Sequence, residues 1–356
     1  MSRWHKHETS LGISLSVVSS TTSGRILRRI GRVLLWLIVA LLALAVVGAI
    51  YQAIATARAE RAYPPPGEIV DVGGYSLHIN CVGQGSPTVV LDAGSGGFSA
   101  HWVRVQQEVS GTTRVCAYDR AGMGWSEIGP DPRDAKQITD ELHALLSEAG
   151  IEGPYVLVGH SFGGMYLQTY AARYPDEVAG VALVDTSTDP TQFSQRPQAR
   201  ESSEPQEQRS AVGSQLLRLG VSLPARLGVV RLLSTLDPAS PDLPPKQREQ
   251  IDALSPSTRQ WSTSALEFLA PTQTLRLGSP GSLGNKPLAV VTAGESEPDW
   301  LERQDELATL SSDSTHRVVE GATHESLLYE RSDAQATSAA IVEVVDAVRT
   351  DRPLAR

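Results

Sequence analysis

One serine in this chain stands in a setting that favours nucleophilic chemistry. Ser161 lies in Gly159-His160-Ser161-Phe162-Gly163, directly after the apolar run 155–158 and before a segment with helical spacing. Glycines on both sides allow a turn from strand to helix that is sharp enough to present the hydroxyl at the edge of a sheet. A helix N-cap would account for the serine but not for both glycines. The pattern therefore predicts that Ser161 is a catalytic nucleophile.

A serine hydroxyl becomes a good nucleophile only when a base removes its proton. His324 is the candidate base, in the loop Glu320-Gly321-Ala322-Thr323-His324 between the last predicted strand and the last predicted helix. A loop histidine is often a solvated surface group. Its position after the last strand nevertheless predicts that the imidazole reaches the serine corner.

An acid must hold the imidazole of His324 in one tautomer, and the sequence offers two. Asp185 follows the predicted strand 181–184 directly, whereas Glu297 lies in the loop after the predicted strand 288–292. Both keep the order serine, acid, histidine. We favour Asp185, because a carboxylate at a strand end is held more rigidly, and Glu297 is the alternative. A cap residue at Asp185 and a surface charge at Glu297 are the plainer interpretations.

Backbone N–H groups must stabilise the negative oxygen that forms when an acyl carbon is attacked. Phe162, which follows the nucleophile, and Ser95, in the glycine-rich loop 93–97, are the predicted donors. The loop does not match the phosphate-binding motif G-x-G-x-x-G, because position 99 is serine rather than glycine. The sequence also lacks a P-loop and an H-E-x-x-H motif, so we expect no metal and no cofactor.

Charge is distributed unevenly along the 356 residues, whose formal net charge is −9. Residues 1–61 carry eight basic and two acidic side chains, and residues 62–356 carry 23 basic and 38 acidic ones. Residues 62–356 are therefore strongly acidic and are not expected to bind nucleic acid. The basic excess precedes an uncharged run at 33–57, with arginines at 25, 28, 29 and 32.

The uncharged run 33–57 is long enough to cross a membrane, since about 20 residues suffice. The preceding arginines predict a cytoplasmic N-terminus and an extracytoplasmic remainder. The alternative is a secreted protein whose signal is cleaved near Ala57, because Ala55 and Ala57 have the spacing of a signal-peptidase site. Residues 1–32 are then a cytoplasmic tail, and 58–67, which include three consecutive prolines, are a linker.

Short apolar strands alternate with helical patterns from residue 68 onward, which predicts an α/β fold with a mostly parallel sheet covered on both faces. The alternation breaks between Asp185 and Pro287. Because a structureless loop of that length is improbable, we predict a helical cap at 186–287, inserted between core segments 68–185 and 288–350.

The elbow around Ser161, the Ala93-Gly94 loop, the segment 119–124 (Asp-Arg-Ala-Gly-Met-Gly) and the terminal His324 together resemble the α/β-hydrolase fold superfamily. The family's usual His-Gly before the oxyanion loop is Ala93-Gly94 here. The resemblance implies eight strands in the order 1-2-4-3-5-6-7-8, the second antiparallel. It thereby implies that Cys81 and Cys116 lie side by side and can form a disulfide.

These patterns lead to the hypothesis of a serine hydrolase that cleaves an ester, thioester or amide of a small-molecule acyl substrate. Family members with an aspartate nucleophile, the haloalkane dehalogenases and epoxide hydrolases, are disfavoured because Ser161 takes that place. An amidase or aminopeptidase, an acyltransferase, and a catalytically silent binding protein are the alternatives. The sequence predicts neither the substrate nor the oligomeric state.

Overall fold

The structure, a computed structural model, describes residues 21–186, 211–270 and 282–354. Its strands form a single eight-stranded sheet in the order β1-β2-β4-β3-β5-β6-β7-β8. The strands are β1 (Glu68–Asp71), β2 (Ser76–Val82), β3 (Val89–Asp92), β4 (Val115–Asp119), β5 (Tyr155–His160), β6 (Val178–Val184), β7 (Leu288–Ala293) and β8 (Ser314–Val319).

Helices precede, connect and follow these strands. They are α1 (Thr21–Ala62), α2 (Val103–Val109), α3 (Ala135–Glu148), α4 (Phe162–Arg173), α5 (Ala211–Arg226), α6 (Val229–Ser234), α7 (Pro245–Leu254), α8 (Thr258–Leu269), α9 (Pro298–Ala308), α10 (Ser326–Tyr329) and α11 (Arg331–Thr350).

The sheet has the strand order that the resemblance to α/β hydrolases implied. β2 pairs antiparallel with both β1 and β4, and every pairing from β4 to β8 is parallel. The antiparallel second strand and the α/β-hydrolase topology are therefore confirmed. In such a sheet the carboxyl ends of the parallel strands meet at one edge, where ligand sites lie.

Both faces of the sheet are covered, so its central strands are buried on both sides. Along β3, Val89 and Leu91 pack into one apolar cluster, and Val90 packs into the other. The first cluster includes side chains of α2 and α11, and the second includes side chains of α3, α4 and α9. Burial on both faces explains why these strands read as continuous apolar runs rather than as alternating ones.

The helix α1 is longer than the predicted membrane span. It already covers residues 21–32 of the predicted tail, while residues 1–20 lie outside the described chain. It also continues through 58–62, which the sequence analysis assigned to the linker, and Ala59 is buried in an apolar cluster. Alanine, glutamate and arginine favour helix here, and the helix ends at Ala62 because Pro64 disfavours helical geometry in the residue before it.

The chain divides into two compact units, Met1–Val47 and Gly48–Arg356. Residues 48–62 of α1 thus belong to the second unit, together with the sheet. Within the described part of the chain, only the stretch Arg28–Ala62 is long and apolar enough to cross a membrane. Both a membrane anchor and a signal sequence have this length and composition.

The described part of the segment between β6 and β7, where the insertion was predicted, contains helices α5 to α8. The polar stretch 187–210 and the segment 271–281 of that insertion lie outside the described residues.

Cys81 and Cys116 face each other in the register of β2 and β4 and are joined by a disulfide in the structure. We expect non-reducing peptide mapping of protein purified from membranes to find the two cysteine peptides linked. Reduction before digestion should release both peptides, which provides the control. Two free thiols in the unreduced sample would contradict the extracytoplasmic placement, because such bonds persist in oxidising compartments.

Candidate active site

Ser161 sits at the corner between β5 and α4 with φ 54° and ψ −121°, a conformation that side chains rarely adopt. The flanking glycines are needed because backbone lies against them. A Cβ at Gly159 would overlap Gly164, and one at Gly163 would overlap the carbonyl of Asp92. The backbone N–H of Ser161 donates to the carbonyl oxygen of Val184 at 3.1 Å, which fixes the corner to β6.

Asp185 and His324 are brought together although 139 residues separate them. The Nδ1 atom of His324 lies 2.5 Å from Oδ2 of Asp185. The other carboxylate oxygen, Oδ1, accepts hydrogen bonds from the indole N–H of Trp300 at 2.8 Å and from the backbone N–H of Ala293 at 3.1 Å. Every oxygen of this buried carboxylate therefore has a donor.

The hydrogen bonds around Asp185 also determine its charge. Burial on its own raises the pKa of this carboxyl group, but hydrogen bonding and the charge interaction with His324, together with the donors on Trp300 and Ala293, outweigh burial. The pKa of Asp185 is consequently held below its usual value. The ionised carboxylate then accepts the Nδ1 proton of His324 and leaves Nε2 as the basic nitrogen.

Glu297, the alternative acid, is placed differently. It is the N-cap residue of α9, and its side chain is exposed. Its backbone carbonyl accepts the N–H of Trp300 at 2.9 Å. No hydrogen bond between the Glu297 carboxylate and His324 occurs among the described residues. The structure thus brings Asp185, and not Glu297, to the imidazole.

A cavity of about 310 Å³ opens at the carboxyl edge of the sheet, and both Ser161 and His324 line it. Its walls combine the glycine-rich loop with aromatic and aliphatic side chains from α4, α8 and α10. The apolar contributors are Phe162, Phe268, Leu328 and Tyr329. Such a lining suits an apolar group bound beside a few polar ones.

The two predicted oxyanion donors both border this cavity. Phe162 is the first residue of α4, and Ser95 is exposed at the tip of a turn in which the N–H of Gly97 donates to the carbonyl of Gly94 at 3.0 Å. Gly94 lies so close to Ser161 that an added Cβ would be 3.1 Å from the serine Cβ. The loop backbone therefore approaches Ser161 more closely than a larger residue at 94 would allow.

Arg120 holds this loop from behind, a role that the sequence analysis did not assign. Its guanidinium donates to the carbonyl oxygens of Ala93 at 2.6 Å and Gly94 at 2.9 Å. It also pairs with Asp92 at 2.6 Å and with Glu267 of α8 at 3.1 Å, and all three side chains are buried. The guanidinium of Arg120 thus connects the predicted oxyanion loop, the end of β3 and the inserted helices.

The carboxylates around Arg120 lie in a low-dielectric environment. Burial raises the pKa of Asp92 to about 6, even though Arg120 and the hydroxyl of Tyr118 stabilise its charged form. Arg133 continues the cluster, with a bond of 2.5 Å to Glu141 and a distance of 3.8 Å to Glu267. Removing either arginine would leave buried carboxylates without enough cations to compensate them, which is costly.

Two further histidines line the cavity and are held neutral. Burial lowers the pKa of His101 to about 4. Burial and the proximity of His324 lower the pKa of His160 to about 3. The Nε2 atom of His160 lies 2.9 Å from the carbonyl oxygen of His324, so Nε2 must carry the proton and donate it. His160 thereby steadies the loop that carries His324.

Trp300, which the sequence analysis did not single out, lies against both members of the acid and base pair. Its ring is 6.2 Å from that of His324 in an edge-to-face arrangement, and its indole N–H donates to Asp185. No sequence motif identifies Trp300, because only the tertiary fold brings the first turn of α9 to the site.

We expect Trp300→Phe to lower kcat about tenfold, because a hydrogen bond to a charged group contributes roughly 1.5–3 kcal/mol while the ring packing is retained. Trp125→Phe is the matched control, since its indole N–H donates to the carbonyl of Tyr63 instead. Steady-state rates of both variants on a soluble substrate would measure the effect. Equal rates for wild type and Trp300→Phe would contradict a positioning role for the indole.

Within the described ranges, no group of three or more histidine, cysteine, aspartate or glutamate side chains is arranged to hold a metal ion. The polar groups at the cavity are instead a hydroxyl, an imidazole, a carboxylate and backbone amides. This set can perform nucleophilic and acid–base chemistry on its own.

Residues 87–330, more than half of the chain, match the family model of the alpha/beta hydrolase fold. The chain belongs to the α/β-hydrolase fold family. Among solved structures, this α/β hydrolase is similar to a thermophilic esterase from Thermogutta terrifontis, with a TM-score of 0.58 and 21% identity, over 79% of this chain and 97% of that one. It is also similar to the enol-lactonase from Burkholderia xenovorans, with a TM-score of 0.57 and 19% identity, over 78% and 100%. At these identities, both show the fold alone.

Among curated proteins, the α/β hydrolase is 33% identical over 131 residues to the probable transporter efuK of Hormonema carpetanum. That match covers 35% of this chain and 19% of the relative. The chain therefore spans about a fifth of that relative's length.

Proposed function

We propose that this α/β hydrolase cleaves carboxylic esters through an acyl-serine intermediate, with Ser161 as nucleophile, His324 as base and Asp185 as the acid that orients it. The observation that carries the proposal is the 2.5 Å contact between His324 and Asp185 beside a cavity that also contains Ser161. The positive φ of Ser161 supports it, because such strain is usually retained for function.

In the proposed reaction, the Ser161 hydroxyl oxygen attacks the ester carbonyl carbon while Nε2 of His324 takes the hydroxyl proton. The negative oxygen of the tetrahedral intermediate lies against the backbone N–H groups of Phe162 and Ser95. His324 then returns the proton to the departing alcohol oxygen, and the carbon–oxygen bond breaks. Water, deprotonated by His324, attacks the acyl-serine and releases the carboxylic acid and the free serine.

The cavity walls favour an apolar acyl group. Phe162, Phe268 and Leu328 present apolar surface beside the serine. Two solved structures that share the fold are an esterase and an enol-lactonase. We propose the carboxylic ester class of hydrolases on these grounds. Thioesters and amides use the same machinery and are part of the substrate test.

The proposed setting is a membrane surface. The uncharged run 33–57 of α1 acts as a single-pass anchor with the N-terminus in the cytoplasm, and the catalytic unit lies outside. The bond between Cys81 and Cys116 agrees with an oxidising compartment. Core segments 68–185 and 288–350 carry the proposed triad, and the insertion 186–287 is proposed as the cap, because Phe268 of its helix α8 lines the cavity.

The test is a panel of esters from acetyl to palmitoyl, with matched thioesters and amides, assayed with the full-length protein in detergent or nanodiscs. Faster turnover of esters than of amides, increasing with acyl length, is the expected result. Preference for amides would replace the ester class with an amidase or aminopeptidase. Transfer to an added alcohol in preference to water would indicate an acyltransferase.

A fluorophosphonate probe separates the enzyme from a catalytically silent binding protein. Such probes react with serines that are activated by a base. The wild-type chain should be labelled, and heat-denatured protein provides the control for non-specific reaction. An unlabelled native protein would favour the silent binding protein.

A further inference from the structure

The helices α5 and α6 carry an unusual amount of exposed apolar surface. Leu232 is 65% exposed and Leu236 is 80% exposed. We call the exposed residues of these helices and of the turn after α6 the leucine face; its members are Leu216, Leu219, Leu223, Val229, Leu232, Leu233 and Leu236. An apolar face of this kind on a soluble surface marks an interaction site.

The position of the leucine face follows from its contact with the end of α1. A Cβ added at Gly48 would overlap the carbonyl of Leu227, in the turn between α5 and α6. On the other side of that turn, a Cβ added at Gly228 would lie 3.1 Å from the carbonyl oxygen of Gly48 and from the ring of Tyr51. The turn therefore touches the backbone of α1 at Gly48, within the uncharged run.

Hydrogen bonds fix this contact. The buried guanidinium of Arg231 in α6 donates to the side-chain oxygen of Gln52 at 3.0 Å and to the carbonyl of Ala253 at 3.1 Å. Gln52 is itself buried and donates to the carbonyl of Pro256 at 2.9 Å. Because these polar partners are satisfied inside the second unit, α6 is held beside this part of α1.

The depth of Gly48 in a bilayer can be estimated from the helix. With a rise of about 1.5 Å per residue, Gly48 lies about 14 Å along the axis from Ala57, the last residue of the uncharged run. The hydrocarbon core is about 30 Å thick, so a residue at this distance from the outer end of the run lies in the outer half of the core. The turn at Leu227 is then at the level of the outer leaflet.

Charge on the leucine face is compatible with lipid. The stretch 211–236 contains three arginines and no acidic residue, in a portion of the chain that is otherwise acidic. Arg218 pairs with Asp131, and Arg231 is buried. Arg226 is exposed, and a cation at this position suits an anionic headgroup.

We infer that the leucine face rests in the outer leaflet of the bilayer that α1 crosses, and that the site draws its esters from that leaflet. The inference rests on the proposed anchor and, for its second half, on the proposed ester chemistry. The inserted helices connect the leucine face to the cavity. The indole N–H of Trp261 in α8 donates to the carbonyl of Val221 in α5 at 2.9 Å, and Phe268 of α8 lines the cavity.

Nitroxide labels on the full chain in nanodiscs test the docking. Leu232→Cys and Leu236→Cys place the label on the face, and Val318→Cys, 40% exposed on β8, is the matched control. The chain has only two cysteines, which are bonded to each other, so wild type is the unlabelled blank. Labels on the face should collide more with oxygen than with a water-soluble nickel chelate, and the control should show the reverse.

Two results would overturn the docking. Face labels with the same water exposure as the Val318 label would mean that the leucines stay outside the bilayer. Spin–spin broadening between labels, with both collision reagents excluded, would mean that a second copy of the chain covers the face. Neither result depends on hydrolysis, so both are distinguishable from a failure of the proposed function.

The double variant Leu232→Ser and Leu236→Ser tests the supply of substrate. Its rate on a long-chain ester dissolved in the bilayer should fall about tenfold, because the apolar area that holds the face in lipid is reduced. Its rate on a short water-soluble ester should equal that of wild type, which shows that the site itself is intact. Equal rates on the bilayer ester would contradict delivery from the leaflet.

Discussion

Ser161→Ala should lower kcat on any substrate of this hydrolase by about 10⁴- to 10⁶-fold and should abolish labelling by a fluorophosphonate. In the proposed mechanism the hydroxyl oxygen of Ser161 forms the covalent intermediate, and alanine has no such atom. The fold should be unaffected, because alanine tolerates the position better than a larger residue and Ser161 makes no side-chain cap bond to α4.

Ser264→Ala is the matched control for this loss. Ser264 lies on α8 near Gly96, close to the oxyanion loop, but it does not line the cavity. Its removal should leave kcat within about twofold of wild type, as is usual for such a substitution. Rates and probe labelling should be measured on the same preparations. Retention of most of the activity in Ser161→Ala would refute the acyl-serine mechanism.

Asp185→Asn should lower kcat by about 10⁴-fold, whereas Glu297→Gln should leave it within about twofold. The amide of asparagine can face Nδ1 of His324 with its NH₂ group and so favours the tautomer in which Nε2 carries the proton. That imidazole cannot accept the hydroxyl proton of Ser161. Glu297 is exposed at the start of α9, and its amide analogue changes only surface charge.

The pair is informative because both substitutions remove one carboxylate at nearly constant size. Thermal unfolding of each variant separates a loss of catalysis from a loss of folded protein. A larger effect of Glu297→Gln than of Asp185→Asn would reverse the assignment of the acid. Equal small effects would mean that neither carboxylate orients the imidazole.

Much of the fold could be predicted because local sequence patterns indicate most of its strands and helices. Apolar runs predicted the strands at 155–158, 181–184 and 288–292 to within a few residues, although β6 begins earlier than expected, at Val178. The first residues of β6 are less uniformly apolar and are recognised as strand only through pairing with β5. The predicted linker begins at residue 58, whereas α1 continues to Ala62, because proline disfavours helical geometry only in the residue directly before it.

The site was predictable where a motif and its element coincide. Ser161, in its glycine-flanked corner, is a local signal, and His324 was reached by its place after the last strand. Arg120 lay inside a quoted motif, but its partner Glu267 is separated from it by 147 residues and sits in an insertion without a motif. Contacts of this kind depend on tertiary packing, which a single sequence does not encode locally.

The ion pair between Arg120 and Glu267 has a consequence for engineering by domain exchange. A chimera that receives the α5–α8 region of another hydrolase would keep Arg120 beneath the loop at Ala93 and Gly94. Unless the donor segment supplies a carboxylate at the place of Glu267, that buried guanidinium would lose one of its two anions. Exchanging the inserted helices without a carboxylate at this position would therefore loosen the backbone of the loop at Ala93 and Gly94, which is the proposed oxyanion loop.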